Sequence, residues 1–138
     1  MGDLTRTEKF SEKKSRSVAA TERAVLYSEF DTTNAVTLFN LPANCLITDA
    51  YVITETAGQT SLTLDVGVTG DADGLIATAD VDNTGIVKDA LSTGVLTSTG
   101  TAVTVTPSAT PTEGAFVFIV EYIEYTKSTG EMTVINRA

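Results

Sequence analysis

Residues 36–81 read VTLFNLPANCLITDAYVITETAGQTSLTLDVGVTGDADGLIATADV. Leu62, Leu64, Val66 and Val68 alternate with Thr63, Asp65 and Gly67. That period of two sets one row against a core and the other toward water, as on a half-buried strand. Upstream, residues 46–54 (LITDAYVIT) are rich in β-branched and aromatic side chains, the composition of a second strand. ETAGQT, residues 55–60, supplies a glycine-containing turn between the two. The fold is read outward from this pair.

VTLFNL, residues 36–41, forms a strand that Pro42 ends, because proline donates no backbone hydrogen bond. On the other side, TGDADG (residues 69–74) is expected to turn, since short acidic side chains bond their own backbone. LIATADV (residues 75–81) is then a short strand or a helical turn, and DNTG (residues 82–85) turns again. IVKDAL, GVLTSTG and TAVTVTP follow as short strands at the spacing of a sandwich or barrel, and Pro107 and Pro111 bracket a rigid loop. Residues 18–27 tolerate helix, but AVLYSEF (residues 24–30) also suits a first strand, and we favour the strand from about Ala24.

GAFVFIVEYIEY, residues 114–125, is the strongest strand. Phe116, Phe118 and Val120 form one apolar row, and Val117 and Ile119 form the other. A strand covered on both faces lies between two layers or at a subunit interface, so Phe116 and Phe118 are named as candidate contact residues. KSTGE (residues 127–131) reads as a hairpin turn, with MTVIN (residues 132–136) returning antiparallel.

The expected architecture is all-β: one antiparallel, jelly-roll-like β-sandwich over residues 24–138, preceded by an extended arm over residues 1–23. A chain of 138 residues suits one domain, and 42% hydrophobic content supports a core. No apolar run approaches a membrane span, the longest being residues 115–120, and the first residues lack the apolar stretch of a secretory signal. Cys45 is the only cysteine, so no intrachain disulfide forms, and we read it as a small buried hydrophobe.

The net charge of −9 is unevenly spread. Residues 1–23 hold six basic groups against four acidic ones, whereas residues 24–138 hold three against fourteen. Such a body repels nucleic acid, whose binding rests on phosphate neutralisation, and no basic patch with interleaved aromatics exists. Membrane partners are not expected either. The arm alone is drawn to acidic surfaces. It is either a floppy terminus or a segment that orders on a neighbour, with Phe10 as anchor and Lys13, Lys14 and Arg16 as its charged contacts.

Catalytic arrangements fail on inspection. The chain has no histidine, which removes Ser/His/Asp and Cys/His sites and the commonest neutral-pH base. Ser11-Glu12-Lys13-Lys14 and Lys127-Ser128-Thr129-Gly130 match serine–lysine elements only by chance, since neither position offers a buried pocket. Glu121 and Glu124 are an odd number of residues apart, so a strand points them to opposite faces. Asp65, Asp71, Asp73, Asp80 and Asp82 form the densest acidic group, but DADG lacks the full calcium-loop register and its closing glutamate. Turn capping is their expected role, and no cofactor or metal is expected.

The segment LFNLPANCLITDAYVIT…LTLDVGVTGDADGLIATADV resembles a pattern of tailed-bacteriophage virion proteins. In it, Leu-Phe-x-Leu/Val-Pro-Ala-x-x-x-Ile-Thr-Asp precedes Leu-x-Val-Gly-x-x-Gly-Asp-x-Asp and Leu-Ile/Leu-Ala-x-Ala-Asp. A closing apolar run ending Val-Glu-Tyr is similar to residues 118–122. The resemblance covers residues 36–125 and implies a small, non-enzymatic virion structural protein. Its favoured version is a capsid decoration (cement) protein: a homotrimer on the outer capsid surface that binds the major capsid protein between capsomers. Alternatives are a tail, tail-fibre or head–tail connector component, or a glycan- or receptor-binding sandwich. The lack of tryptophan weighs against sugar binding. The basic arm departs from the pattern.

Overall fold

The computed structural model describes residues 18–89 and 94–125. Nine strands occur among them: β1 (Ala19–Leu26), β2 (Val36–Leu41), β3 (Cys45–Thr56), β4 (Thr63–Val68), β5 (Asp71–Asp80), β6 (Gly85–Val87), β7 (Val95–Thr97), β8 (Thr101–Pro107) and β9 (Ala115–Glu124). They form two antiparallel sheets packed face to face, a β-sandwich. The first sheet runs β1-β9-β3-β6, with β7 also paired to β3; the second runs β2-β8-β4-β5. The expected hairpin over residues 127–136 lies outside the described residues.

β3 and β4 do not pair. β3 belongs to the first sheet and β4 to the second, so residues 57–62 carry the chain between layers. Gly58 sits at this crossing, donating its N–H to the Val81 carbonyl at 2.9 Å. A Cβ there would meet Leu62 Cδ2 at 2.7 Å. Gln59 ties the crossing to the loop after β8: its Nε2 donates to the Thr110 carbonyl at 3.0 Å, and its Oε1 accepts from Thr112 N–H at 3.1 Å.

Two expected boundaries move. β1 starts at Ala19, not near Ala24, and ends at Leu26, so residues 19–23 are sheet paired to β9. A 3-10 turn (Tyr27–Glu29) stops the strand, and Glu29 Oε2 accepts the Leu26 N–H at 2.8 Å. The second shift concerns DADG, which is the start of β5 and leaves only Thr69 and Gly70 in the turn. The β4–β5 register slips twice, so β5 is strongly bulged. At one bulge Thr78 has φ 54°; its N–H donates to Asp65 Oδ1 at 2.7 Å, and Ala77 N–H donates to Asp89 Oδ2 at 2.8 Å. These carboxylates satisfy donors that the bulge has taken out of the ladder.

The core lies between the sheets. Val25, Ile47, Val52, Phe116 and Phe118 meet Leu64, Val66, Ile76, Val103 and Val105, all essentially buried. Phe30 packs edge-on against Phe116 with ring centroids 6.5 Å apart. Each such side chain contributes about 1.5–3 kcal/mol by leaving water. Cys45 is fully buried, as its reading as a small hydrophobe requires, and burial holds its thiol above the ordinary pKa.

Candidate assembly surface

The two outer faces of the sandwich differ in chemistry, and the register shows why. In β9 the row Phe116, Phe118 and Val120 points inward, opposite Thr54, Val52 and Ala50 of β3. The other row therefore points out, with Val117 beside Ile53, Ile119 beside Tyr51 and Glu121 beside Asp49. β1 extends these rungs with Ala24 beside Val117, Glu22 beside Ile119 and Ala20 beside Glu121. Ile86 of β6 pairs with Ile53, while Leu96 of β7 and Ile123 of β9 both pair with Leu46.

The outer face of the first sheet is thus an apolar rung (Ala24, Val117, Ile53, Ile86), an acidic band (Glu22, Glu121, Asp49) and a second apolar rung (Ile123, Leu46, Leu96). Ile86 is 69% exposed and Leu96 64%, and each continues one of the apolar rungs. A groove of about 340 Å³ opens here, lined by Ala20, Tyr51, Ile53, Ile86, Ile119 and Glu121. On the second sheet, Leu64, Val66 and Val68 are opposite Pro107, Val105 and Val103, which leaves Asp65 beside Thr106 and Gly67 beside Thr104 to face out. That face is hydroxyl-rich and acidic. Among the described residues, the larger exposed apolar surface lies on the first sheet.

Electrostatics sharpen the contrast. The described residues hold fourteen carboxylates and two basic side chains, Arg23 and Lys88. Both cations are ion-paired, Arg23 to Glu29 at 3.4 Å and Lys88 to Asp49 at 3.1 Å. Arg23 also donates to the Thr37 carbonyl of β2, across the sandwich edge. Lys88 lies 5.0 Å from the centre of the Tyr51 ring, and the hydrogen bond to Asp49 raises its pKa. Tyr51 donates its hydroxyl proton to Glu121 Oε1 at 3.0 Å, which raises the phenol pKa.

Of the sequence-derived contact residues, Phe116 and Phe118 are corrected. Both are 1% exposed in the core, so the outward row of β9 is Val117 and Ile119. An all-apolar strand does not reveal by itself which row faces inward, and here the larger aromatic row fills the inter-sheet space. Phe10, Lys13, Lys14 and Arg16 lie outside the described residues. Ile86 and Leu96 were missed because their strands are three residues long and carry no readable period.

The aspartates serve the backbone. Besides Asp65 and Asp89, Asp82 Oδ2 accepts the Ser61 N–H at 3.2 Å, and its pKa is lowered, first by a hydrogen bond with Asp80. Among the described residues no group of three or more Asp, Glu, Cys or His side chains is placed to hold a metal ion.

No protein-family model and no curated protein sequence matches this chain. Solved structures do. A chain of the capsid of Ralstonia phage GP4 superposes with a TM-score of 0.64 at 23% identity, covering 80% of this chain and 86% of that one. A chain of the cyanophage Pam1 capsid asymmetric unit gives 0.60 at 20% identity, covering 79% and 86%. One from the acid-stable capsid of Helicobacter pylori bacteriophage KHP30 gives 0.62 at 10% identity, covering 77% and 86%. At these identities the likeness establishes a shared sandwich fold.

Proposed function

We propose that this protein is a bacteriophage virion structural component of the capsid decoration (cement) type. It binds the outer shell between capsomers as a homotrimer and contacts the major capsid protein. The observation that carries this reading is the one-sided sandwich: an open apolar face on the first sheet, backed by a Thr- and Asp-rich face suited to solvent. Three fold neighbours that all come from phage capsids support it. The absence of histidine agrees with a role that makes and breaks no covalent bonds.

The mechanism is mass action. A protein that binds the assembled shell and not its dissociated subunits shifts the balance toward the shell. Three linked copies bind more tightly than one, because the second and third contacts form at high effective concentration. The arm, with Phe10, Lys13, Lys14 and Arg16, provides reach beyond the body.

Cryo-electron microscopy of the particle that carries the protein tests the reading. Density at regular positions over the whole shell is the expected result. Density confined to the tail or its vertex replaces the decoration role with a tail or connector role, and absence from any particle removes the virion assignment. Deleting residues 1–17 is expected to abolish shell binding.

A further inference from the structure

The open face of the first sheet invites the question of what covers it. Two copies placed face to face would oppose Glu22 and Glu121 of one to the same groups of the other, a like-charge contact that disfavours the pairing. The occupant must instead be apolar and basic together. The chain supplies such a segment: FSEKKSRS, residues 10–17, joins one aromatic to three cations and a single glutamate.

The spacing agrees. On the face, Ile53 lies beside Val117, and Glu121 is four residues further along β9, about 13 Å in a strand. In the arm, Lys14 is four residues beyond Phe10, about the same distance in an extended chain. An extended arm with Phe10 in the groove at Ile53, Ile86 and Ile119 thus brings Lys14, on the same side of the arm as Phe10, over Glu121.

We infer that the outer face of the first sheet is the docking site for the basic arm of a second copy of this chain, Phe10 filling the apolar groove, Lys14 meeting Glu121, and Lys13 and Arg16 adding to the attraction between the arm and the acidic face. Delivery by a neighbour follows from direction. Laid this way, the arm runs from the Val117 rung toward the Glu121 end, whereas β1 enters beside Tyr122 and runs back toward Leu26. Within one chain, residues 16–19 would have to reverse sharply. KKSRSVAA, residues 13–20, contains no glycine, proline, asparagine or aspartate, and its two serines support such turns more weakly.

An arm on the next copy's face is a head-to-tail contact, which closes into a ring when the rotation allows. That is the geometry a trimer needs. The inference rests on reading this face as an assembly surface, and it is independent of where in a virion the protein sits.

Charge exchange on the full-length chain tests it. One variant carries K13E, K14E and R16E, and the other carries E22K and E121K. In sedimentation of purified protein at low ionic strength, the natural chain associates. Each variant alone associates at least about tenfold more weakly, a change of about 1.4 kcal/mol, and an equimolar mixture recovers association. E22K alone, at an exposed position, serves as the second partner if E121K disturbs Tyr51. A natural chain that stays monomeric overturns the inference. So does undiminished association of the arm variant, or recovery only when both sets of changes share one chain. None of these solution results bears on whether the protein decorates a shell, which the particle images decide.

Discussion

Tyr51 and Glu121 join two strands on the outer face: the phenol of β3 donates to the carboxylate of β9 at 3.0 Å, one rung off the direct cross-strand pair. The bond holds the phenol above its ordinary pKa. Protonated Tyr51 is the bonded form, so its contribution to stability is present below about pH 10 and fades as pH rises through the raised value. In an ultraviolet titration, one of the four tyrosines is expected to ionise late. Glu121→Gln should advance it, and an unchanged curve would refute the coupling.

Gly67 has no room for a side chain. A Cβ there would collide with the Asp71 and Ala72 backbone of β5, which cannot move without unmaking the bulged β4–β5 pairing. Gly67→Ala is expected to cost about 3 kcal/mol. That loss lowers the melting temperature by on the order of 10 °C. A calorimetric scan checks it, and a shift of a degree or two would contradict the packing.

Thr54 faces the core opposite Phe116, and its Oγ1 is buried with no hydrogen-bond partner. An unmet buried hydroxyl costs about 1–3 kcal/mol. Thr54→Val, which has the same shape, is therefore expected to raise stability by about 1 kcal/mol in chemical denaturation. A loss of that size would mean the hydroxyl is satisfied.

Ile86 is mostly exposed on a short edge strand and lines the outer groove. Ile86→Thr keeps the β-branch, so monomer stability should change by no more than about 0.5 kcal/mol. Self-association or shell binding should weaken measurably in the same preparation. Unchanged assembly by sedimentation and particle binding would remove this face from the interface.

Much of the sandwich was legible from local pattern. The alternation of residues 62–68, the apolar run of residues 116–120 and the proline after Leu41 each mark a strand or its end, because the pleat and the missing donor act within a few residues. The lack of histidine and the split between a basic arm and an acidic body are likewise properties of the sequence. The first removes sites that need an imidazole, and the second sets the arm apart from the body in charge.

Other features depended on contacts between residues distant in the chain. Nothing within residues 46–68 says that β3 and β4 part into different sheets; that follows from β3 pairing with β9 and β4 with β8. DADG reads as a turn, and it is strand because Gly67 lets the β5 backbone lie across β4. Whether Phe116 and Phe118 or Val117 and Ile119 face inward is undetermined by a run apolar on both sides. The core decides it, because only the aromatic row reaches Phe30 and fills the space between the sheets. Local periodicity fixes that a strand has two faces, and only the opposing layer determines which of them is buried.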